Sequence, residues 1–75
     1  MKLSHEFFGS GEYANRRSEV WCKRRWWTGL RHDNKGTWYL NFFENDSLVD
    51  HRNIIGRTER YAEDCAENWV IGVIK

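Results

Sequence analysis

Tyr61, Ala62, Cys65, Ala66, Trp69, Val70, Val73 and Ile74 form one apolar stripe at helical period, which leaves the C-terminal part of the chain a single folding option. With 3.6 residues per turn, such positions share one side of an amphipathic helix, and that side must be buried against something else. The spacing predicts a helix over residues 58–74. Thr58 supplies the N-cap, its hydroxyl accepting from an amide that the helix start leaves unpaired. Glu59 follows in the first turn, where the helix dipole favours an anion, and Arg60 and Asp64 stand four apart, as pairing requires. Gly72 is a poor helix former and predicts fraying from Ile71 to Lys75. Two alanines on the stripe allow close approach to a sheet, with Trp69 as the large plug between them.

The surface for that helix to cover lies upstream. Ser18 to Thr28 reads as a long strand, with Val20, Cys22, Arg24 and Trp26 on one side and Trp21, Lys23, Arg25 and Trp27 on the other. Both faces carry Trp and both carry cations. Gly29 to Gly36 reads as a hairpin loop. Thr37 to Phe43 is a second strand, with Trp38, Leu40 and Phe42 on one face and Thr37, Tyr39, Asn41 and Phe43 on the other. Glu44-Asn45-Asp46-Ser47 supplies turn chemistry, because Asn and Asp tolerate the left-handed backbone of a tight hairpin. Leu48 to Ile54 is a third strand interrupted by His51 and Arg52, and Gly56 ends it. Residues 1–15 read as a loosely ordered N-terminal segment in which Phe7-Phe8 precede Gly9-Ser10-Gly11, with a short helical turn over Glu12 to Arg17. The expected fold is α+β: a three-stranded antiparallel meander over residues 18–55, packed by one C-terminal helix, in a single domain of residues 1–75.

Seventy-five residues form a thin core, since a chain this short buries only about 60% of the surface its unfolded form exposes. Twelve aromatic side chains offset this and argue against disorder, despite 31% charged residues. Residues 1–37 carry eight Lys/Arg against four Asp/Glu, and residues 38–75 carry four against seven, so the net charge of +1 conceals a basic half and an acidic half. Chains of two signs often satisfy themselves internally or pair in dimers.

Chemistry-bearing motifs are few. His5, His32 and His51 are isolated, Ser10 lacks the surroundings of a nucleophile elbow, and no His/Cys spacing suits a metal. No glycine-rich phosphate loop is present. The expectation is a non-enzymatic protein without cofactor or metal. Cys22 and Cys65 are too few for a disulfide scaffold; a bridge between them stays open only where strand and helix meet. No apolar run in Met1 to Ser10 suits a signal peptide and none in the chain suits a membrane span. The expected location is therefore cytoplasmic, with reduced thiols.

Two surfaces carry the functional candidates. Arg16, Arg17, Lys23, Arg24, Arg25, Trp26, Trp27, Arg31 and Lys35, with His32 beside them, interleave cations and rings. Cations attract phosphates and aromatic faces stack on bases, which makes this a candidate nucleic-acid surface, single-stranded or duplex. The structural alternative is Arg packing on Trp within a sheet. The second surface is the polar side of the helix, Glu63, Asp64 and Glu67, with Ile71 off the apolar stripe. Its functional reading is a docking ridge for a basic groove on another protein, and its structural reading is a solvated face.

The chain is short, rich in Trp and Arg and without enzyme motifs, and in this it resembles the small accessory proteins of tailed bacteriophages, of the host-takeover type. The run Arg60-Tyr61-Ala62-Glu63-Asp64-Cys65-Ala66-Glu67-Asn68-Trp69 resembles the strand-then-helix ending of several of them. The small phage inhibitor of bacterial RNA polymerase is similar in its sheet-plus-helix economy. The likeness covers the last third of the chain and carries over no functional residue. It implies a phage-encoded protein that docks on a host protein in the bacterial cytoplasm and modulates or inhibits it, the leading expectation. Nucleic-acid binding is the alternative. A homodimer, the basic strand of one copy meeting the acidic helix of another, is a third reading.

Overall fold

A computed structural model describes residues 2–27 and 34–73, and of Trp27 and Asn34 the backbone alone. Four strands, not three, build one antiparallel sheet in the order β1-β2-β3-β4: β1 Lys2–Phe8, β2 Arg16–Trp27, β3 Asn34–Glu44 and β4 Ser47–Thr58. Helix α1, Glu59–Val70, then crosses one face. The added strand is β1, inside the segment expected to be loosely ordered. It pairs with β2 from Lys2↔Cys22 to Phe8↔Arg17, and a bulge at Ser4 breaks the alternation that would have announced it. Glu12 to Arg17 forms no helical turn of its own; a 3₁₀ turn spans Gly11–Tyr13 and β2 starts at Arg16. Gly56 does not end β4 but sits at a bulge within it. Thr28, residues 29–33 of the expected loop, Arg31, His32 and Ile74 lie outside the described residues.

The β3–β4 hairpin closes through Asn45 (φ 54°) and Asp46 (φ 64°). Two successive left-handed residues are the turn whose twist matches paired strands, and Asn and Asp accept that backbone at low cost.

The core lies between α1 and one sheet face. Val20, Trp38, Leu40 and Phe42 meet Ala62, Ala66, Trp69 and Val70, with Phe7, Cys22, Ile54 and Cys65 packed around them. Ala62 and Ala66 bring the helix close enough for the Ser18 hydroxyl to donate to the Ala66 carbonyl at 3.0 Å, which satisfies a fully buried polar group. The Trp38 Nε1 is buried without a hydrogen-bond partner among the described residues. Trp69 stacks on Phe42 with centroids 4.7 Å apart, and the Arg16 guanidinium covers its ring at 4.6 Å. Tyr61 and Val73, expected in the core, are exposed: the buried arc of α1 centres on Ala62, Ala66 and Trp69 and leaves both at its margins.

Both helix ends are capped. The Thr58 hydroxyl accepts from the Tyr61 amide at 3.2 Å. At the other end Gly72 (φ 79°) donates to the Trp69 carbonyl and Val73 donates to that of Asn68, so the glycine terminates the helix in a Schellman motif rather than fraying it. Gly72 also lies against Tyr13, where an added Cβ would sit 2.4 Å from the ring. Cys22 and Cys65 are both free. Among the described residues no helix is long and apolar enough to cross a membrane.

Candidate nucleic-acid interface

Among the described residues no layer covers the face of the sheet opposite α1, and its composition follows from strand register. One row across the strands reads Phe8, Arg17, Phe43, Leu48; the next Glu6, Glu19, Asn41, His51; the next Leu3, Trp21, Tyr39, Asn53. Beyond these come Arg24, Thr37 and Ile55, and then Trp26 and Lys35.

A bulge in β2 creates the last two rows. Cys22 opposes Trp38, but Arg24 opposes Thr37, so Lys23 is an extra residue and the alternation of β2 reverses after it. Simple alternation puts Arg24 and Trp26 beside Val20 and Cys22. Instead Arg24 and Trp26 share the open face with Trp21, while Arg25 opposes Gly36 on the helix side. There Arg25 pairs with Glu59 at 3.1 Å. Gly36 is required at that crossing, because an added Cβ would lie 2.2 Å from the Arg24 carbonyl oxygen and 2.8 Å from the Trp38 ring.

Three rings cross neighbouring strands on this face. Trp21 and Tyr39 are near-parallel, with centroids 6.1 Å apart, and His51 lies 5.6 Å beyond Tyr39. A hydrogen-bond chain through Glu19 and Asn41 joins Trp21 to His51. Glu19 accepts from Trp21 Nε1 at 2.9 Å, from Arg17 at 2.8 Å and from Asn41 at 3.4 Å. The Asn41 side-chain oxygen contacts His51 Nδ1 at 2.7 Å, a bond in which the imidazole N–H donates. Burial by itself would raise the Glu19 pKa. The hydrogen bonds from Trp21, Arg17 and Asn41, with the Arg17 charge, outweigh it and hold the carboxyl below its ordinary value.

The nine basic and aromatic candidates therefore separate. Arg16 lies on the helix side, paired with Glu44 at 3.2 Å and donating to the Trp69 carbonyl at 2.9 Å. Arg25 is held by Glu59. Arg17 is on the open face but at its far end, clamped by Glu6 and Glu19 and lying 4.1 Å over Phe43. Lys23, Arg24 and Lys35 have no carboxylate partner among the described residues; Arg24 and Lys35 gather with Trp26 beside the Trp21–Tyr39 row, and Lys23 is exposed at the bulge itself. Arg31 lies outside the described residues, as does the side chain of Trp27. Among the described residues, the three rows from Trp21 to Trp26 hold no carboxylate on this face. Tyr39, Asn41 and His51 were not among the sequence candidates, although the alternation of Thr37, Tyr39, Asn41 and Phe43 already put Tyr39 and Asn41 on one side.

The helix candidates occupy a different place. Glu63, Asp64 and Glu67 line an open groove of about 570 Å³ with Glu59, Arg60, His5 and Phe7, while Ile71 is exposed at the helix end outside it. Burial, then the charges of Glu59 and Asp64, opposed by His5, push the Glu63 pKa up. A smaller cleft of about 310 Å³ is lined by Lys2, Leu3, Ser4, Cys22, Arg25 and Glu59, and there the Ser4 hydroxyl donates to the Glu59 carboxylate that also holds Arg25. Among the described residues no group of three His, Cys, Asp or Glu side chains is placed to hold a metal ion. No protein-family model, no curated protein and no solved structure matches the chain.

Proposed function

We propose that this is a non-enzymatic binding domain that takes single-stranded nucleic acid on the open face of its sheet. The observation that carries the reading is the set of rings Trp21, Tyr39 and, diagonally across, His51 beside Arg24, Trp26 and Lys35, where cations without carboxylate partners among the described residues adjoin the rings. Unpaired bases stack on such rings for about 1–3 kcal/mol each, and a duplex hides the faces that stacking needs. Lys23, Arg24 and Lys35 meet the phosphates. With roughly three phosphates neutralised, affinity falls with a log–log salt slope of about −2.

A labelled oligothymidine of about 15 nucleotides, followed by fluorescence anisotropy, tests this. Binding is expected to weaken roughly 15-fold between 50 and 200 mM salt and to exceed binding of the matching duplex. Trp21→Ala/Tyr39→Ala is expected to weaken it at least about tenfold in a chain that still folds. No binding at low salt, or binding indifferent to that double substitution, refutes the proposal.

The groove beside α1 supports a second reading, in which a host protein with a basic segment docks along Glu63, Asp64 and Glu67 and is modulated by it. Its motivation is that these carboxylates and that of Glu59 line one groove, four acids against the single arginine Arg60, next to His5 and Phe7. Pull-down from a bacterial lysate would then retain one dominant protein that Glu63→Lys/Glu67→Lys releases. Retention unchanged by that pair of substitutions rejects this surface.

A further inference from the structure

β4 is an edge of the sheet, with no strand paired on its outer side among the described residues. Open edges present unpaired backbone donors and acceptors to another chain. From Asp50 to Ile55, between its two bulges, β4 stays in regular register with β3. The His51 amide donates to the Asp50 carboxylate at 2.8 Å, so this edge donor is held by the side chain of its own neighbour rather than by a strand. Exposed apolar side chains mark its two ends: Leu48 (58%) and Val49 (53%) just before it and Ile55 (70%) as its last residue.

We infer that a second copy of this chain pairs with β4, antiparallel, about a two-fold axis at His51. The register follows from charge. In an antiparallel pairing of identical edges, opposed residues lie on the same face, which restricts the axis to a residue of the regular segment. An axis at Asp50 opposes two carboxylates, and one at Arg52 opposes two guanidiniums. An axis at Asn53 sets Arg52 against Ile54 and His51 against Ile55, and one at Ile54 sets Asn53 against Ile55 and Arg52 against Gly56. One at Ile55 runs the pairing across the Gly56 bulge, so none of the three joins opposite charges on the strand. An axis at His51 sets Asp50 against the second copy's Arg52, and by symmetry does so twice, while Val49 meets Asn53. Within one copy Asp50 and Arg52 already pair along the strand at 3.5 Å, so the junction becomes a cluster of four charges of alternating sign. The His51 amides then exchange hydrogen bonds with each other's carbonyls.

The dimer extends the open face. His51 ends the ring row of each copy, so two rows join as Trp21–Tyr39–His51 followed by His51–Tyr39–Trp21 of the second copy, across a continuous eight-stranded sheet. The pairing does not depend on what that face binds, and its test is separate.

Sedimentation equilibrium of the full chain between about 5 and 500 µM is expected to show a reversible monomer–dimer equilibrium. Asp50→Arg weakens it at least about tenfold, and Asp50→Arg/Arg52→Asp restores it, because the sign of every opposed pair is inverted together. A strict monomer throughout, or a dimer indifferent to Asp50→Arg, overturns the inference. A cross-linking arm covers the event that Arg52→Asp disturbs folding. In this register the two His51 Cα atoms stand about 5.5 Å apart, within disulfide reach. Under mild oxidation His51→Cys gives covalent dimer at least about tenfold faster than Ser47→Cys on the same strand, above the background from Cys22 and Cys65. Equal rates overturn the register.

Discussion

Replacing Trp69 with alanine should bring this domain to the edge of unfolding. Trp69 is 7% exposed, stacks on Phe42 and lies under the Arg16 guanidinium. A large aromatic buries about 150–250 Å², which at about 25 cal/mol/Å² is an upper estimate of roughly 4–6 kcal/mol. Truncation keeps the Cβ but leaves a cavity, and measured losses for such changes run about 3–5 kcal/mol. A chain of 75 residues has a total stability of about 4–11 kcal/mol at 0.05–0.15 per residue. The substitution therefore removes between about a quarter and all of it. Urea denaturation followed by far-UV circular dichroism reads this directly. With a slope near 1 kcal/mol/M the midpoint drops by about 3 M or more, and unfolded chain becomes visible without denaturant. A loss below about 1 kcal/mol refutes the assignment of Trp69 as the plug between helix and sheet.

Two further substitutions probe the open face and its support. Glu19 is harder to protonate in the folded chain than in the unfolded one, so the unfolded state takes up more protons as the pH drops and stability falls with it. Glu19→Gln should be less stable than the parent chain at pH 7, with the difference shrinking as the pH falls below about 4.3; a difference that stays constant as the pH is lowered contradicts the network around Trp21 and Asn41. Gly36→Ala forces a Cβ against the Arg24 carbonyl and the Trp38 ring. It should cost about 1–3 kcal/mol in the urea midpoint, and an unchanged midpoint rejects the close crossing of β2 and β3.

The helix was legible because its signals are local. Thr58 caps it where the sequence placed a cap, and Ala62, Ala66, Trp69 and Val70 lie buried at helical spacing. The β3–β4 turn was legible for the same reason, since Asn45 and Asp46 set their own backbone. β1 was not, because Lys2 to Phe8 is an edge strand whose alternation breaks at Ser4 and whose partner, β2, lies beyond an intervening turn. The basic run was misleading in a different way. Arg16, Arg17 and Arg25 look alike in sequence, yet Glu44, Glu6, Glu19 and Glu59 neutralise them from as far as 34 residues away. The charge asymmetry between the chain's halves is thus partly consumed inside the fold: Arg16 of the basic half meets Glu44 of the acidic half, and Arg25 meets Glu59.

Which cations escape that neutralisation is decided by one residue. Without Lys23 as an insertion, β2 would alternate without interruption to its end. Arg24 and Trp26 would follow Val20 and Cys22 toward the helix side, and Arg25 would share the open face with Trp21. The bulge exchanges these positions. Arg25 reaches Glu59 at the start of α1, a partner that needs a cation on that side. Arg24 and Trp26, the latter 36% exposed, are added beside the Trp21–Tyr39 row, at the end of the open face away from Glu6 and Glu19. No glycine or proline marks the insertion, so composition cannot reveal it; it appears only in the register against β3. A bulge costs paired backbone and bends the strand, and such irregularities tend to stand where a side chain must be re-aimed. Here the re-aimed side chains are one cation and one indole. They turn a mixed strand with Trp and Arg on both faces into one whose Arg25 is ion-paired on the helix side, and give the open face a cationic and aromatic end beyond its Arg17–Glu6–Glu19 cluster.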